Sequence, residues 1–175
     1  MAGLTALALA GVGFLAVQAS ANAPDNLGKP KPPSGPAASA APAPPKKDPL
    51  LVPEGSGTGQ RVVYALHDRR VWLVGPKGER MRTFAVMPST LNPVPGSYAV
   101  TSRTEETPGS DGVTIEHVVR FTTVEGVTIG FSAAVDGSMP SPDPKLRTGG
   151  VRMQRADGDA LWSFASVGSK VVVVP

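Results

Sequence analysis

The sequence predicts a mainly β domain, a sandwich or open barrel with one short helix near its C-terminus. Three observations carry that reading. From Arg61 onward, short runs rich in Val, Ile, Thr, Tyr and Phe alternate with turns built on Gly, Pro and Asp. Only one stretch, about 157–166, spaces its apolar residues as a helix does. The chain then closes on Val171-Val172-Val173-Val174, an apolar run short enough to be a buried strand.

Taken in order, Arg61-Val62-Val63-Tyr64-Ala65-Leu66 and Val71-Trp72-Leu73-Val74 flank His67-Asp68-Arg69-Arg70, the pattern of a hairpin. Gly75-Pro76-Lys77-Gly78 turns the chain into a third strand, 81–86. A Pro-rich loop, 88–95, leads to a strand over 96–102, and a polar loop is expected over 104–112. Residues 114–122 and 127–132 then pair across Glu125-Gly126, a second hairpin signal. In the helix, Asp157 is the expected N-cap, Asp159 favours the positive end of the dipole, and Ala160, Leu161, Phe164 and Val167 give one apolar face. Gly168 is the expected stop.

Ahead of this domain the composition changes. Ten of the 19 prolines fall between Pro24 and Pro53, so the folding unit is expected at 60–175, a length that suits one core. Residues 2–17 are apolar and uncharged, followed by Ala19-Ser20-Ala21, a small-residue cleavage pattern. No Lys or Arg precedes Lys29, so residues 1–21 read as a signal peptide or an N-terminal anchor. Residues 22–59 read as a Pro/Ala/Gly-rich disordered linker, semi-rigid over its Pro-rich parts and flexible at Gly55-Ser56-Gly57-Thr58-Gly59. That glycine pattern follows linker and opens no helix, so it is no phosphate loop.

Composition narrows the chemistry. Residues 60–175 carry 13 Lys/Arg against 11 Asp/Glu, a mixed surface and not a nucleic-acid footprint. The chain has no cysteine, which excludes disulfides, thiolate catalysis and Cys-ligated zinc. No His/Asp/Glu set has metal-ligand spacing, and no cofactor is expected. Glu105, Glu106 and Asp111 fall in a Gly/Pro/Ser stretch where a solvated acidic turn is the common outcome. Trp72 and Trp162 read as core or rim residues.

The chain is organised around Arg147-Thr148-Gly149-Gly150-Val151-Arg152-Met153, a glycine turn laid out like a nucleophile loop. This stretch, the opening hairpin, Gly96-Ser97-Tyr98-Ala99-Val100, Ile129-Gly130-Phe131-Ser132-Ala133 and the closing Asp159–Val173 together resemble the L,D-transpeptidase (YkuD-type) catalytic domain. The resemblance covers the whole folded part. It implies a secreted cell-envelope enzyme that cross-links peptidoglycan stems, through a cysteine that attacks the stem carbonyl and an activating histidine.

The resemblance also implies where the reacting groups should be. The family has a histidine on one strand, then a Ser-His-Gly-Cys loop followed by an aliphatic residue and an arginine. Here Ser132 holds the upstream histidine place, and Arg147, Thr148, Gly149 and Gly150 hold the loop places, with Val151 and Arg152 following. The family's Thr-Pro pattern is also altered, to Pro93-Val94-Pro95-Gly96. Gly150 has no side chain, and a hydroxyl at 132 or 148 is no base near neutral pH. No catalytic set is intact, since acyl transfer needs a nucleophile beside a base.

Two functional classes follow. One is a pseudoenzyme in which Arg152, Gly149 and Ser132 still bind peptidoglycan stems or an envelope protein, Arg152 either clamping a carboxylate or bracing the loop against backbone carbonyls. The other is an enzyme with a hydroxyl nucleophile at Ser132 or Thr148, which needs His67 or His117 within reach as base. Contact with a membrane is expected only through the N-terminal segment. A structural spacer with a working Pro-rich linker is the third reading.

Overall fold

Among the described residues, nine strands and one helix build the domain. They are β1 (Arg61–Ala65), β2 (Arg70–Val74), β3 (Arg80–Ala85), β4 (Gly96–Ala99), β5 (Ser102–Pro108), β6 (Thr114–Val124), β7 (Val127–Ala134), β8 (Gly150–Met153), α1 (Arg155–Phe164) and β9 (Lys170–Val174). The computed structural model describes residues 50–175. The signal or anchor segment, 1–21, and the linker up to residue 49 lie outside the described residues.

The strands form two mixed sheets, ordered β3-β2-β1-β9-β4 and β5-β6-β7-β8. The C-terminal valine run enters the middle of the first sheet, parallel to β1 and antiparallel to β4. That position explains its composition: a strand flanked on both sides and covered on both faces reads as a continuous apolar run. In the second sheet β8 pairs parallel with β7, which requires the long crossover 135–149 between them. Glu125 and Gly126, both at positive φ (49° and 79°), make the two-residue turn joining β6 to β7.

Period-two alternation sends one face of each sheet inward. Val62, Tyr64, Val71, Leu73, Val171 and Val173 meet Val119, Phe121, Ile129, Phe131, Val151 and Met153, with Leu161 and Ala165 closing one end. Aromatic rings run through the middle: Tyr64 meets Phe131 edge-on at 5.7 Å, Phe131 stacks on Phe121 at 5.0 Å, and Phe121 meets Tyr98 at 5.8 Å. Such pairs contribute about 0.5–1.5 kcal/mol each beyond the area they bury, so they hold the two sheets in one register.

Several expectations are corrected. The stretch 104–112 is not all loop, because β5 runs through Pro108 and pairs with β6. Its Thr and Arg residues satisfy the ladder as well as apolar ones do, since β5 is an edge strand. The helix starts two residues early, with Gln154 as N-cap and no side-chain cap, while Asp157 lies in its first turn bonded to Arg82. The helix ends at Phe164, so Val167 is outside it and exposed, and Gly168 (φ 87°) serves the following turn. The segment 50–59, expected as the end of the linker, lies on the domain: Trp72 donates to the Leu50 carbonyl and Ser56 is buried, accepting from Arg61. Val52 packs on Val63, Ala65, Trp72 and Val74.

Candidate functional site

Strand parity assembles the site. On β7, Ile129, Phe131 and Ala133 point to the core, which leaves Gly130 and Ser132 on the opposite face. On β8, Val151 and Met153 point inward, leaving Gly150 and Arg152 beside them, with Gly130 opposite Gly150 and Ser132 opposite Arg152. Ser132, Gly150 and Arg152 are therefore neighbours, although Gly150 lies 18 positions after Ser132 in the chain. The β5–β6 turn, the 135–149 crossover and residues 87–91 rise around this face.

Gly149 is a structural necessity. A Cβ there would stand 2.1 Å from the Thr128 carbonyl oxygen and 2.8 Å from its carbon, and the Gly149 carbonyl accepts from Gly130 N at 3.1 Å. Gly149 therefore acts through its backbone and offers no side chain to a ligand. Gly150 is exposed, and a Cβ built on it meets nothing nearer than Ser132 Oγ at 3.9 Å. Thr148 is turned to the side: its amide donates to Thr90 Oγ1 at 2.8 Å, the two hydroxyls are 3.3 Å apart, and its carbonyl accepts from Leu91 N. It ties the loop to 88–91. Arg147 is exposed and pairs with Glu125.

Ser132 Oγ is buried and has no hydrogen-bond partner. No base touches it. His67 is an exposed turn residue, and His117 sits in a β6 bulge at φ 52°, against Trp162. His117 Nδ1 lies 3.0 Å from Asp159 Oδ1, but off the hydrogen-bonding direction, so it counts as close in charge yet unbonded. Arg103 covers Trp162 at 3.6 Å. The histidines therefore serve the helix contact and an outer turn.

Arg152 is the charged centre. Its side chain is 12% exposed, and Nη2 donates to Asp111 Oδ2 at 2.9 Å. Nε and Nη1 are buried and unpartnered. The expected alternative, a brace against backbone carbonyls, does not describe this guanidinium, which bonds no carbonyl. It is instead the main-chain N–H and C=O of Arg152 that hold Met87, at 2.8 Å each way. Leaving such donors unpaired away from water is costly, and a guanidinium in this state is chemically suited to an anion.

The space in front of Arg152 is a cavity of about 280 Å³, walled by Met87, Asp111, Ile115, Pro140, Leu146 and Gly150 among others. A second cavity of about 210 Å³ lies over Gly150 toward Arg120, Thr128 and Arg147. Reading the sequence missed Asp111 as a groove residue: it stands in the β5–β6 turn, 41 positions from Arg152, and only the fold brings the two together. The crossover residues Pro140 and Leu146 carry no sequence signal either. Among the described residues no group of His, Asp and Glu is placed to hold a metal ion. Among them, too, no helix is long and apolar enough to cross a membrane.

No family model matches the sequence, and no curated protein matches it. The structure does match solved ones. Similar structures are an L,D-transpeptidase (Yku) from Stackebrandtia nassauensis (TM-score 0.53, 16% identity, covering 75% of this chain and 62% of that one) and Mycobacterium tuberculosis L,D-transpeptidase 1 (TM-score 0.51, 17% identity, 68% and 63%). A third is a Cys-to-Ser mutant of the Enterococcus faecium L,D-transpeptidase (TM-score 0.51, 14% identity, 66% and 50%). The chain thus spans between 50% and 63% of the length of these proteins. The fold is that of the L,D-transpeptidases, mainly β with one helix near the C-terminus, as the sequence resemblance implies. At these identities the likeness establishes the fold.

Proposed function

We propose that this chain is a secreted cell-envelope protein that keeps the L,D-transpeptidase groove without its reacting groups and binds peptidoglycan stem peptides by their terminal carboxylate. The single observation that carries this is Arg152, a largely buried guanidinium beside the cavity whose Nε and Nη1 have no hydrogen-bond partner in the protein. Nη1 and Nη2, the latter held by Asp111, form the end-on fork that matches a carboxylate, the geometry in which arginine binds most strongly. The likeness to solved L,D-transpeptidases supports this ligand class, and the sequence resemblance implies that Ser132, Thr148 and Gly150 hold the places of that family's reacting residues. Residues 1–21 act in this reading as signal or anchor and 22–49 as spacer.

Chemistry follows from the same side chains. Nothing at 150 can form an acyl bond, Ser132 Oγ touches no base, and the Thr148 hydroxyl sits beside Thr90. The hydroxyl-nucleophile reading has no proton acceptor in reach. The reading is tested by calorimetric titration with a tetrapeptide stem bearing a free D-alanine carboxylate. Saturable binding that Arg152→Ala weakens at least about tenfold supports it, a size consistent with losing charge-assisted bonds. No heat at millimolar peptide sinks it. Incubation with a carbapenem should leave the intact mass unchanged, and release of D-alanine by the parent that Ser132→Ala or Thr148→Ala abolishes would overturn the pseudoenzyme reading.

A further inference from the structure

The two ends of the five-stranded sheet differ in what they expose. At one end β3 runs out into the 88–95 loop, which borders the groove. At the other, β1, β3 and β9 start and β2 and β4 finish. Six large apolar side chains are exposed among the described residues. Leu146 lines the groove and Val94 lies in the 88–95 loop. The other four gather at or beside the far end. Met81 is the extra residue of a bulge on β3, opposite the Leu73–Val74 step of β2, and the bulge turns it outward. Val167 is released because α1 stops at Phe164, and it stands in the turn before β9. Leu51 follows Leu50, whose carbonyl accepts from Arg80 at the start of β3. Three strand spacings, ~14 Å, separate β3 from β9. Between Met81 and α1 a cleft of about 430 Å³ opens, walled by Leu73, Pro76, Ala160 and Phe164 among others.

Cations stand between these side chains. Lys77, Arg80 and Lys170 are exposed and make no ion pair among the described residues. The acidic groups nearby are already engaged: Glu79 accepts from the Lys77 amide and Asp157 pairs with Arg82. Glu54, in the entering segment, is the exposed carboxylate that opposes the three cations. In sequence, Lys46 and Lys47 shortly precede Leu50.

We propose that this end of the domain docks on an anionic lipid bilayer. Leu51, Met81 and Val167 enter the boundary between headgroups and acyl chains, and Lys77, Arg80 and Lys170 lie at the lipid phosphates. A bilayer fits this surface better than a protein partner does. Protein interfaces have a contiguous core depleted of charge, whereas here the apolar side chains stand apart on a loop, a bulge and a turn, with cations among them. The contact belongs to the domain itself, is separate from any made by residues 1–21, and does not depend on the carboxylate reading.

The chain has no cysteine, so a single one can be introduced and labelled with a nitrobenzoxadiazole fluorophore. Full chains carrying Leu51→Cys, Met81→Cys or Val167→Cys are compared with Val94→Cys and Leu146→Cys on the groove side. Vesicles are phosphatidylcholine alone or mixed equally with phosphatidylglycerol. With the anionic vesicles, emission at 51, 81 and 167 is expected to rise and shift to the blue, while 94 and 146 stay unchanged. Adding Lys77→Glu and Lys170→Glu to the Met81→Cys chain should raise the lipid concentration for half-response at least about tenfold. Five labels that respond alike, or none that responds, overturn the docking, as binding through residues 1–21 alone gives one of these results. An equal response to neutral vesicles, or a charge variant that responds as the parent does, overturns the anionic surface. A response at 51, 81 and 167 that appears without lipid and grows with protein concentration assigns this end to a second copy of the chain and overturns the bilayer.

Discussion

Replacing Gly149 and Gly150 in turn by alanine separates a glycine kept for backbone contact from one with open space around it. At 149 the new Cβ would lie 2.1 Å from the Thr128 oxygen and 2.9 Å from Ile129 Cδ1, so β7 or the loop must move. Overpacking of this kind costs about 1–3 kcal/mol. The Gly130–Gly149 hydrogen bond at 3.1 Å sits at the clash, and losing it adds about 0.5–1.5 kcal/mol. At 150 the nearest atom is 3.9 Å away and the backbone is extended. There alanine reduces the freedom of the unfolded chain and stabilises by about 0.4–1 kcal/mol. For a domain of this size one kcal/mol moves the melting temperature by roughly 3–6 °C. Gly149→Ala should therefore melt about 10 °C lower and Gly150→Ala a few degrees higher, read by thermal denaturation followed by circular dichroism. Two variants that shift the same way, or a destabilised Gly150→Ala, would refute the reasoning.

Further outcomes are expected. Tyr64 is buried with its hydroxyl unpartnered, so Tyr64→Phe should raise stability by about 1 kcal/mol in urea unfolding. Burial also pushes the Tyr64 hydroxyl up to about 12, against a small opposing effect of Arg69. A raised folded pKa means stability is intact below about pH 10, the unfolded value, and lost as pH rises toward 12, an alkaline loss that Tyr64→Phe should reduce. Hydrogen bonding from Arg155 holds the Glu116 carboxyl below its ordinary range. That pair therefore supports the fold above the usual glutamate range and loses its contribution as pH falls below it; Glu116→Gln should flatten part of the acid limb, by about 0.2–1 kcal/mol for so exposed a pair. Asp111→Ala removes a negative charge beside Arg152 and frees its Nη2, so affinity for the tetrapeptide stem should rise several-fold in calorimetry, whereas a fall would show that Asp111 orients Arg152.

The sequence carried the architecture because the determinants of each strand are local. Val62-Val63-Tyr64, the Glu125-Gly126 turn and the four terminal valines declare strands and a hairpin by composition and turn chemistry. The helix was legible in its apolar spacing, but its start was not. Asp157 has the residue type of an N-cap, yet Arg82 on a different element claims its carboxylate, and the turn begins at Gln154 without side-chain help. The edge strand β5 is hidden in the sequence for a similar reason: Arg103, Glu105 and Glu106 look solvated, and only pairing with β6 makes them a strand.

What the sequence by itself determined was the fold, the place of the glycine loop, and which side chains stand at 132, 148, 150 and 152. Those follow from residue type and spacing along the chain. The tertiary structure decided the rest: that Asp111 meets Arg152 across 41 positions, that Thr148 faces Thr90, and that Gly149 and Gly150, adjacent and identical, do different things. Each depends on distances between strands that are remote in sequence, and a side chain's role in a groove is fixed by what the fold places opposite it.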